Sequence, residues 1–228
     1  MPAAWTATAA TSPRWRRPDV VPPDLSSPTK GDRTRQALLA AAIVRFAREG
    51  FRGTSVADVC RDAGLSTTAS YPYFANKEAL FVAAVDEDVA DLIAEAVSLV
   101  AIDETPEAWG TMLMQALVGH MPAHPLAGRI VRGLEPEFTM RLLHIPALQE
   151  LRKTVTELIR QEQVDGRVRQ DIDPGPTANG MVVIVISLLM ATMQTGADAE
   201  GYAQVAADVE SVLQAATRHP NRDTIRRG

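Results

Sequence analysis

The sequence predicts an all-α protein, with a small N-terminal domain of three helices and a larger C-terminal helical domain. Three observations predict it. Apolar residues recur at three- and four-residue spacing along most of the 228 residues. The segments so defined are bounded by Pro or Gly, as helices are. The one discordant stretch, residues 181–191, is rich in β-branched side chains that favour a strand. A lone strand would have no partner in a helical chain, so this run is read as a helix apolar on nearly all sides.

Residues 1–29 contain six prolines and no periodicity, and are expected to form a disordered arm. Its basic cluster, Arg14, Trp15, Arg16 and Arg17, suits either a solvated tail or an arm tracking phosphate. The first helix is expected over 32–49, with Leu38, Leu39, Ala42, Ile43, Phe46 and Ala47 on one face and Gly50 just past its end. Phe51 is expected to close a small core with Phe74 and Leu80.

Residues 54–78 read as a helix-turn-helix ending in a phosphate clamp. Thr54 or Ser55 caps a short helix, with Asp58 as the capping-box partner of Ser55. Val56, Val59 and Cys60 give it an apolar stripe. Gly64 breaks the helix where a tight turn needs positive φ, and Leu65 plugs the turn. Ser66 caps a second short helix, Thr67 to Tyr71, rich in hydroxyls. Small and hydroxylic side chains let a helix backbone come close to a major groove. The hydroxyls of Thr67, Thr68 and Tyr71 suit phosphates or base edges, and the methyl of Ala69 suits a thymine methyl. Thr54, Ser66 and Tyr73 complete the expected DNA-contacting set. Asn76 caps the next helix, and Lys77 in its first turn opposes the helix dipole unless a phosphate sits there.

The pattern F-R-G-T-S-V-A-D-V, then A-G-L-S, then Y-x-Y-F-x-N-K-E-A-L-F, within residues 33–81, resembles the DNA-binding domain of the TetR family of transcriptional regulators. G-R-V-R-Q-D-I-D-P near residue 170 resembles the loop before that family's dimerisation helices. The resemblance implies a homodimeric, all-helical repressor with a small-molecule pocket in its C-terminal domain. Two residues depart from the pattern. Pro72 removes a hydrogen bond to the Thr68 carbonyl and is expected to end or kink the recognition helix. Ser70 stands where an apolar or small residue usually faces the core.

The helix that begins at Asn76 is expected to run through Leu80, Val85, Val89, Leu92 and Val100, linking the two domains. Further helices are expected near 105–121, 125–133, 146–164, 174–195 and 201–217, with Pro106 and Pro146 in first-turn positions. The expected domains are therefore 30–78 for DNA binding and 79–218 for ligand binding and dimerisation, followed by a flexible tail at 219–228. The apolar run calls for cover from a second copy. Val183, Ile184, Ile186, Ser187 and Leu188, with Val209 and Leu213 on the last helix, are the expected dimer interface. Trp109, Met112, Leu117, His120, Phe138, Met140, His144 and Met190 are the candidates to line a ligand pocket, methionine being adaptable to irregular ligands. His120 and His124 have metal-ligand spacing, but Pro122 between them argues for hydrogen bonding or exposure instead.

Charge divides in the same place. Residues 1–82 carry 11 Lys and Arg against 7 Asp and Glu, whereas residues 83–228 carry 12 against 21. A basic reader joined to an acidic domain suits a DNA-binding protein. The single cysteine excludes an intramolecular disulfide framework, and Cys60 reads as a small buried hydrophobe. No nucleophile elbow, phosphate loop, zinc spacing or paired carboxylates with a supporting base occur, so no enzyme, cofactor or metal is expected. The first thirty residues lack the apolar stretch of a secretory signal, and 181–191 is about half the ~20 residues a membrane span needs. A cytoplasmic protein with no membrane partner is expected. The function expected is a repressor released from a palindromic double-stranded operator by a small apolar effector. The alternative is a ligand-independent architectural or global DNA-binding protein.

Overall fold

The computed structural model describes residues 29–99, 106–196 and 199–217, and their regular elements are all helices, with no strand among them. The expected arm, Arg14–Arg17 cluster and tail lie outside the described residues. In order come α1 (Lys30–Gly53), α2 (Val56–Asp62), a 3₁₀ turn (Thr67–Ser70), α3 (Lys77–Leu99), α4 (Pro106–His120), α5 (Pro125–Val131), α6 (Thr139–Leu142), α7 (Pro146–Val164), α8 (Pro174–Thr195) and α9 (Ala199–Thr217).

The long helices fall where the sequence places them, because each carries its own start and stop signals. α1 opens on a Thr29–Asp32 capping box. Its regular part ends at Gly50, which takes φ 74°, and the backbone then re-enters a short turn to Gly53. Elements of only three or four residues signal nothing as strong. The 3₁₀ turns at Met121–Ala123 and Pro136–Phe138, and α6, carry no side-chain cap and had no expectation attached.

α3 is the central strut. It packs on α1 at one end and on α4, α5 and α7 at the other. Two of its carboxylates cap other helices. Asp88 accepts hydrogen bonds from the backbone of Leu126 (2.9 Å) and Ala127 (2.8 Å), in the first turn of α5. Asp86 accepts one from Ala147 (2.8 Å), in the first turn of α7. Both helices begin with proline and neither has a side-chain cap of its own. The free N–H groups of a first turn need an acceptor, and a carboxylate there also meets the positive end of the dipole. Asp88 is buried by this contact.

The main core does not stop at residue 78. Phe46 and Phe81 meet edge to face at 5.0 Å, and Phe138 packs 4.6 Å from both Phe51 and Phe81. The same cluster continues through Leu126, Leu148 and Val182. Phe74 and Leu80 are buried in it, as the small core around Phe51 requires.

α8 is not equally buried on all sides. Ala178, Val182, Val185, Leu188, Leu189 and Thr192 face inward against α7 and α9. Val183, Ser187 and Ala191 form an exposed face. By length and composition the whole 22-residue helix is apolar enough to cross a membrane, although its central run alone is too short.

Candidate nucleic-acid interface and an apolar cavity

Local chemistry builds the reading head. Ser55 caps α2: Asp58 N donates to Ser55 Oγ (3.1 Å), and Ser55 Oγ donates to Asp58 Oδ2 (2.6 Å). That hydroxyl holds the Asp58 carboxyl below its ordinary value. Arg45 grips Asp62 through two bonds, 2.5 and 3.0 Å, and so fixes α2 to α1. Asp62 is likewise held low by the Arg45 guanidinium. α2 then ends in a Schellman motif. Leu65 N donates to Cys60 O (2.8 Å) and Gly64 N to Arg61 O (3.1 Å), with Gly64 at φ 69°. Leu65 is half-buried against the core, in the plug position expected of it.

The element after the turn is shorter than expected. In place of an α-helix over 67–71, a single 3₁₀ turn spans Thr67–Ser70. Pro72 supplies the reason, since it has no N–H to continue the ladder. The chain recovers through Tyr73 N and Phe74 N, both donating to Ser70 O at 3.0 Å. Ser70 is fully buried, and its hydroxyl is satisfied by the Thr67 carbonyl (3.2 Å), while Cys60 Sγ approaches the same oxygen at 3.8 Å. A serine therefore substitutes for an apolar residue here without an unpaired donor.

Ser66, Thr67 and Thr68 are exposed, Ala69 is half-buried, and Tyr71 is 68% exposed at the tip. Ser66 Oγ and Thr68 Oγ1 share a hydrogen bond of 3.2 Å. Tyr73 is half-buried, its hydroxyl near Gly31 at the start of α1.

Two of the expected contacts face the protein instead. Thr54 is only 3% exposed, and its Oγ1 is buried without a partner. The Lys77 ammonium donates to Phe51 O and Thr54 O, both at 3.0 Å, and lies 4.3 Å from the Phe51 ring. It thus caps the carbonyls where α1 ends, which removes two of its three donors from any phosphate. Asn76 does cap α3, accepting from Ala79 N at 2.8 Å.

Behind the head lies a cavity of about 330 Å³. Its wall comes from α3 (Val85, Val89, Leu92), α4 (Leu113, Leu117), α5 (Ala127, Ile130, Val131), α7, α8 and α9. Leu117 and Met190 line it as expected. Four other candidates are elsewhere. Phe138 is in the aromatic cluster, His144 is exposed, Met112 is half-buried off the wall, and His120 is paired with Glu95. The side chains of Trp109 and Met140 lie outside the described residues. Ile186 and Leu213, expected at a dimer interface, line the cavity, and Leu188 points into the core beside it. Ile184 and Val209 are half-buried, leaving Val183 and Ser187 as the outward pair. A 3.6-residue period forces this division, because one helix cannot turn every apolar residue to the same side.

Sequence reasoning missed the polar joint between head and bundle. Glu135 is buried, accepts from Arg129 Nε (2.7 Å), and accepts from Phe51 N (3.0 Å) past the end of α1. Gly50 sits against this pair. A Cβ there would fall 2.4 Å from the Arg129 guanidinium and 2.7 Å from Glu135. Also unforeseen, the buried His124 ring sits between Asp88 Oδ1 and Glu95 Oε2, 3.2 Å from each. His120 Nδ1 lies 2.8 Å from that same Glu95 oxygen. The two hydrogen bonds, His124 first, hold the Glu95 carboxyl below its ordinary value. Only the four-residue spacing of the histidines was a signal in the sequence.

Residues 38–84 match the model of the bacterial regulatory proteins of the tetR family. The HTH-type transcriptional repressor SCO4008 of Streptomyces coelicolor is 27% identical over 144 residues, 63% of this chain and 71% of that protein. A TetR-family regulator from Mesorhizobium loti superposes with a TM-score of 0.61 at 20% identity, over 84% of this chain and 100% of that one. One from Rhodococcus gives 0.59 at 21% identity, over 80% and 97%.

Proposed function

We propose that this chain, which belongs to the TetR family of transcriptional regulators, is a homodimeric repressor released from a palindromic operator by a small apolar ligand. The observation that carries the reading is shared walls. α3 and α5 line the cavity, and the same two helices hold the reading head, α3 by leading out of it and α5 through Arg129, which grips the Glu135 that accepts from Phe51 N. A ligand that binds one arrangement of these helices better than another shifts the head between them. The outward faces of α8 and α9, with Val183, Ser187 and Val212 exposed, are the surfaces a second copy would cover.

A dimer would set two exposed 3₁₀ turns, Thr67–Ser70, against successive major grooves. Thr67, Thr68 and Tyr71 carry the reading of sequence. The relative's designation as a repressor supports the sign of regulation.

The experiment is fluorescence anisotropy on an operator selected from random duplexes, paired with a thermal-shift screen of hydrophobic compounds. A ligand at a hundred times its dissociation constant stabilises by roughly 2.7 kcal/mol, enough to register. Stabilising compounds should lower operator affinity. If every one of them left it unchanged, induction would fail and a ligand-independent architectural role would lead. Equal affinity for scrambled duplexes would point the same way.

A further inference from the structure

The cavity wall is unusual in what it offers a polar group. Among its described residues there is no lysine, arginine or histidine. Its polar members are Thr139, Thr154, Glu162 and Thr217. The Thr154 hydroxyl donates to Glu150 O (3.1 Å) and the Thr217 hydroxyl to Leu213 O (2.9 Å), so those protons are spent while their oxygens still accept. Glu162 is 4% exposed and is held by Arg167 through both carboxylate oxygens. Arg167 also bonds Asp165 Oδ2 at 2.8 Å and does not line the cavity. The polar groups of the wall therefore present acceptors, the one hydroxyl proton of Thr139, and one charge already paired with Arg167.

We propose that the cavity selects an uncharged lipophile bearing a single hydrogen-bond donor, such as an alcohol, phenol or amide, and that Glu162 is the residue that enforces this. The inference rests on the cavity being the ligand site. A carboxylate entering here would meet Glu162 and the threonine oxygens with no cation and only the Thr139 hydroxyl to donate to it, and a buried charge so poorly paired is strongly disfavoured. An ammonium would have to share Glu162 with Arg167, so it gains less than its charge suggests. A hydroxyl donates to an acceptor and carries no charge to bury.

The test is displacement of the neutral fluorescent probe N-phenyl-1-naphthylamine from the full-length protein by dodecanol, dodecylammonium and dodecanoate. Equal chains isolate the head group. Dodecanol should displace the probe at concentrations at least about tenfold below dodecanoate, with dodecylammonium between them. Glu162→Gln keeps the shape, removes the charge, and leaves Arg167 its bond to Asp165. It should narrow the gap between alcohol and carboxylate to less than about threefold. A merely structural role for Glu162 would weaken all three competitors alike. Wild-type protein that prefers dodecanoate, or a gap unchanged by Glu162→Gln, would overturn the proposal while leaving the regulatory reading intact. Displacement by none of the three would overturn both. The wild-type ranking decides the matter even if the variant fails to fold.

Discussion

In the reading head, caps and turns are set by side chain and backbone within a few residues of each other: Ser55 with Asp58, Gly64 and Leu65 with the end of α2, Asn76 with Ala79. The longest hydrogen bonds within the head, Arg45 to Asp62 and Lys77 to Phe51, span 17 and 26 residues. In the bundle behind it, the corresponding groups are far apart in sequence. Asp88 caps α5 across 38 residues, and Glu135 meets Phe51 across 84. The two regions also differ in what they leave open. The head shows hydroxyls and one tyrosine ring to solvent, whereas the bundle keeps an apolar void. A surface built from local bonds can vary its exposed side chains without disturbing the fold. A void needs its whole surround to be rigid, which is why its supports are long-range carboxylates and packed aromatics.

The aromatic cluster joins the two regions, so breaking it should have the largest effect. Phe81→Ala deletes a fully buried ring touching Phe46, Phe51 and Phe138, and should cost about 3–5 kcal/mol. Urea unfolding followed by tryptophan fluorescence and by circular dichroism should still give coincident transitions. Separate transitions for head and bundle would show that they fold independently.

Gly50→Ala and Gly64→Ala share almost the same positive φ, 74° and 69°, but not the same surroundings. At Gly64 an added Cβ meets nothing within 4 Å, so only backbone strain of about 1 kcal/mol is expected. At Gly50 the Cβ would strike the Arg129–Glu135 pair, and the cost should exceed that of Gly64→Ala by about 1–3 kcal/mol. Melting curves of the two variants decide it, and equal losses would mean that the joint yields freely.

Lys77→Ala tests the ammonium seen capping α1. It leaves the Phe51 and Thr54 carbonyls without their donor, so stability should fall by roughly 1 kcal/mol. If Lys77 also reaches phosphate through its remaining proton, the salt dependence of operator binding should drop by about one unit of slope. Stability lost with slope unchanged assigns the residue to the fold alone.

The smallest effect is on acid sensitivity. Asp58 is held below its ordinary value of 3.8 chiefly by the Ser55 hydroxyl, so the capping box contributes above that value and is lost as pH falls through the lower folded one. Ser55→Ala should cost about 1 kcal/mol near neutrality, and its deficit against wild type should shrink as pH falls below about 4. A deficit independent of pH would mean that the carboxylate does not share the cap.

Helix positions were legible because each long helix is announced locally. Pro125, Pro146 and Pro174 sit in first turns, Gly64 and Gly166 take the positive φ that follows a helix end, and apolar residues keep the period between. The exposed hydroxyls of Ser66, Thr67 and Thr68 were legible for the same reason, since turn and caps fix which side chains remain outside. The sequence also marked Pro72 as a breaker, yet only the folded chain decided that one 3₁₀ turn would remain. Which face of α8 turns inward, that Phe138 bridges rather than lines the cavity, and that Lys77 and Thr54 turn to the protein were settled by packing. So were Asp88, Glu95, Glu135 and Glu162, whose partners stand on other elements or past a helix end. Local signals fix φ, ψ and periodicity over a few residues. The partner of a buried carboxylate depends on which helices meet, and that is a property of the whole fold.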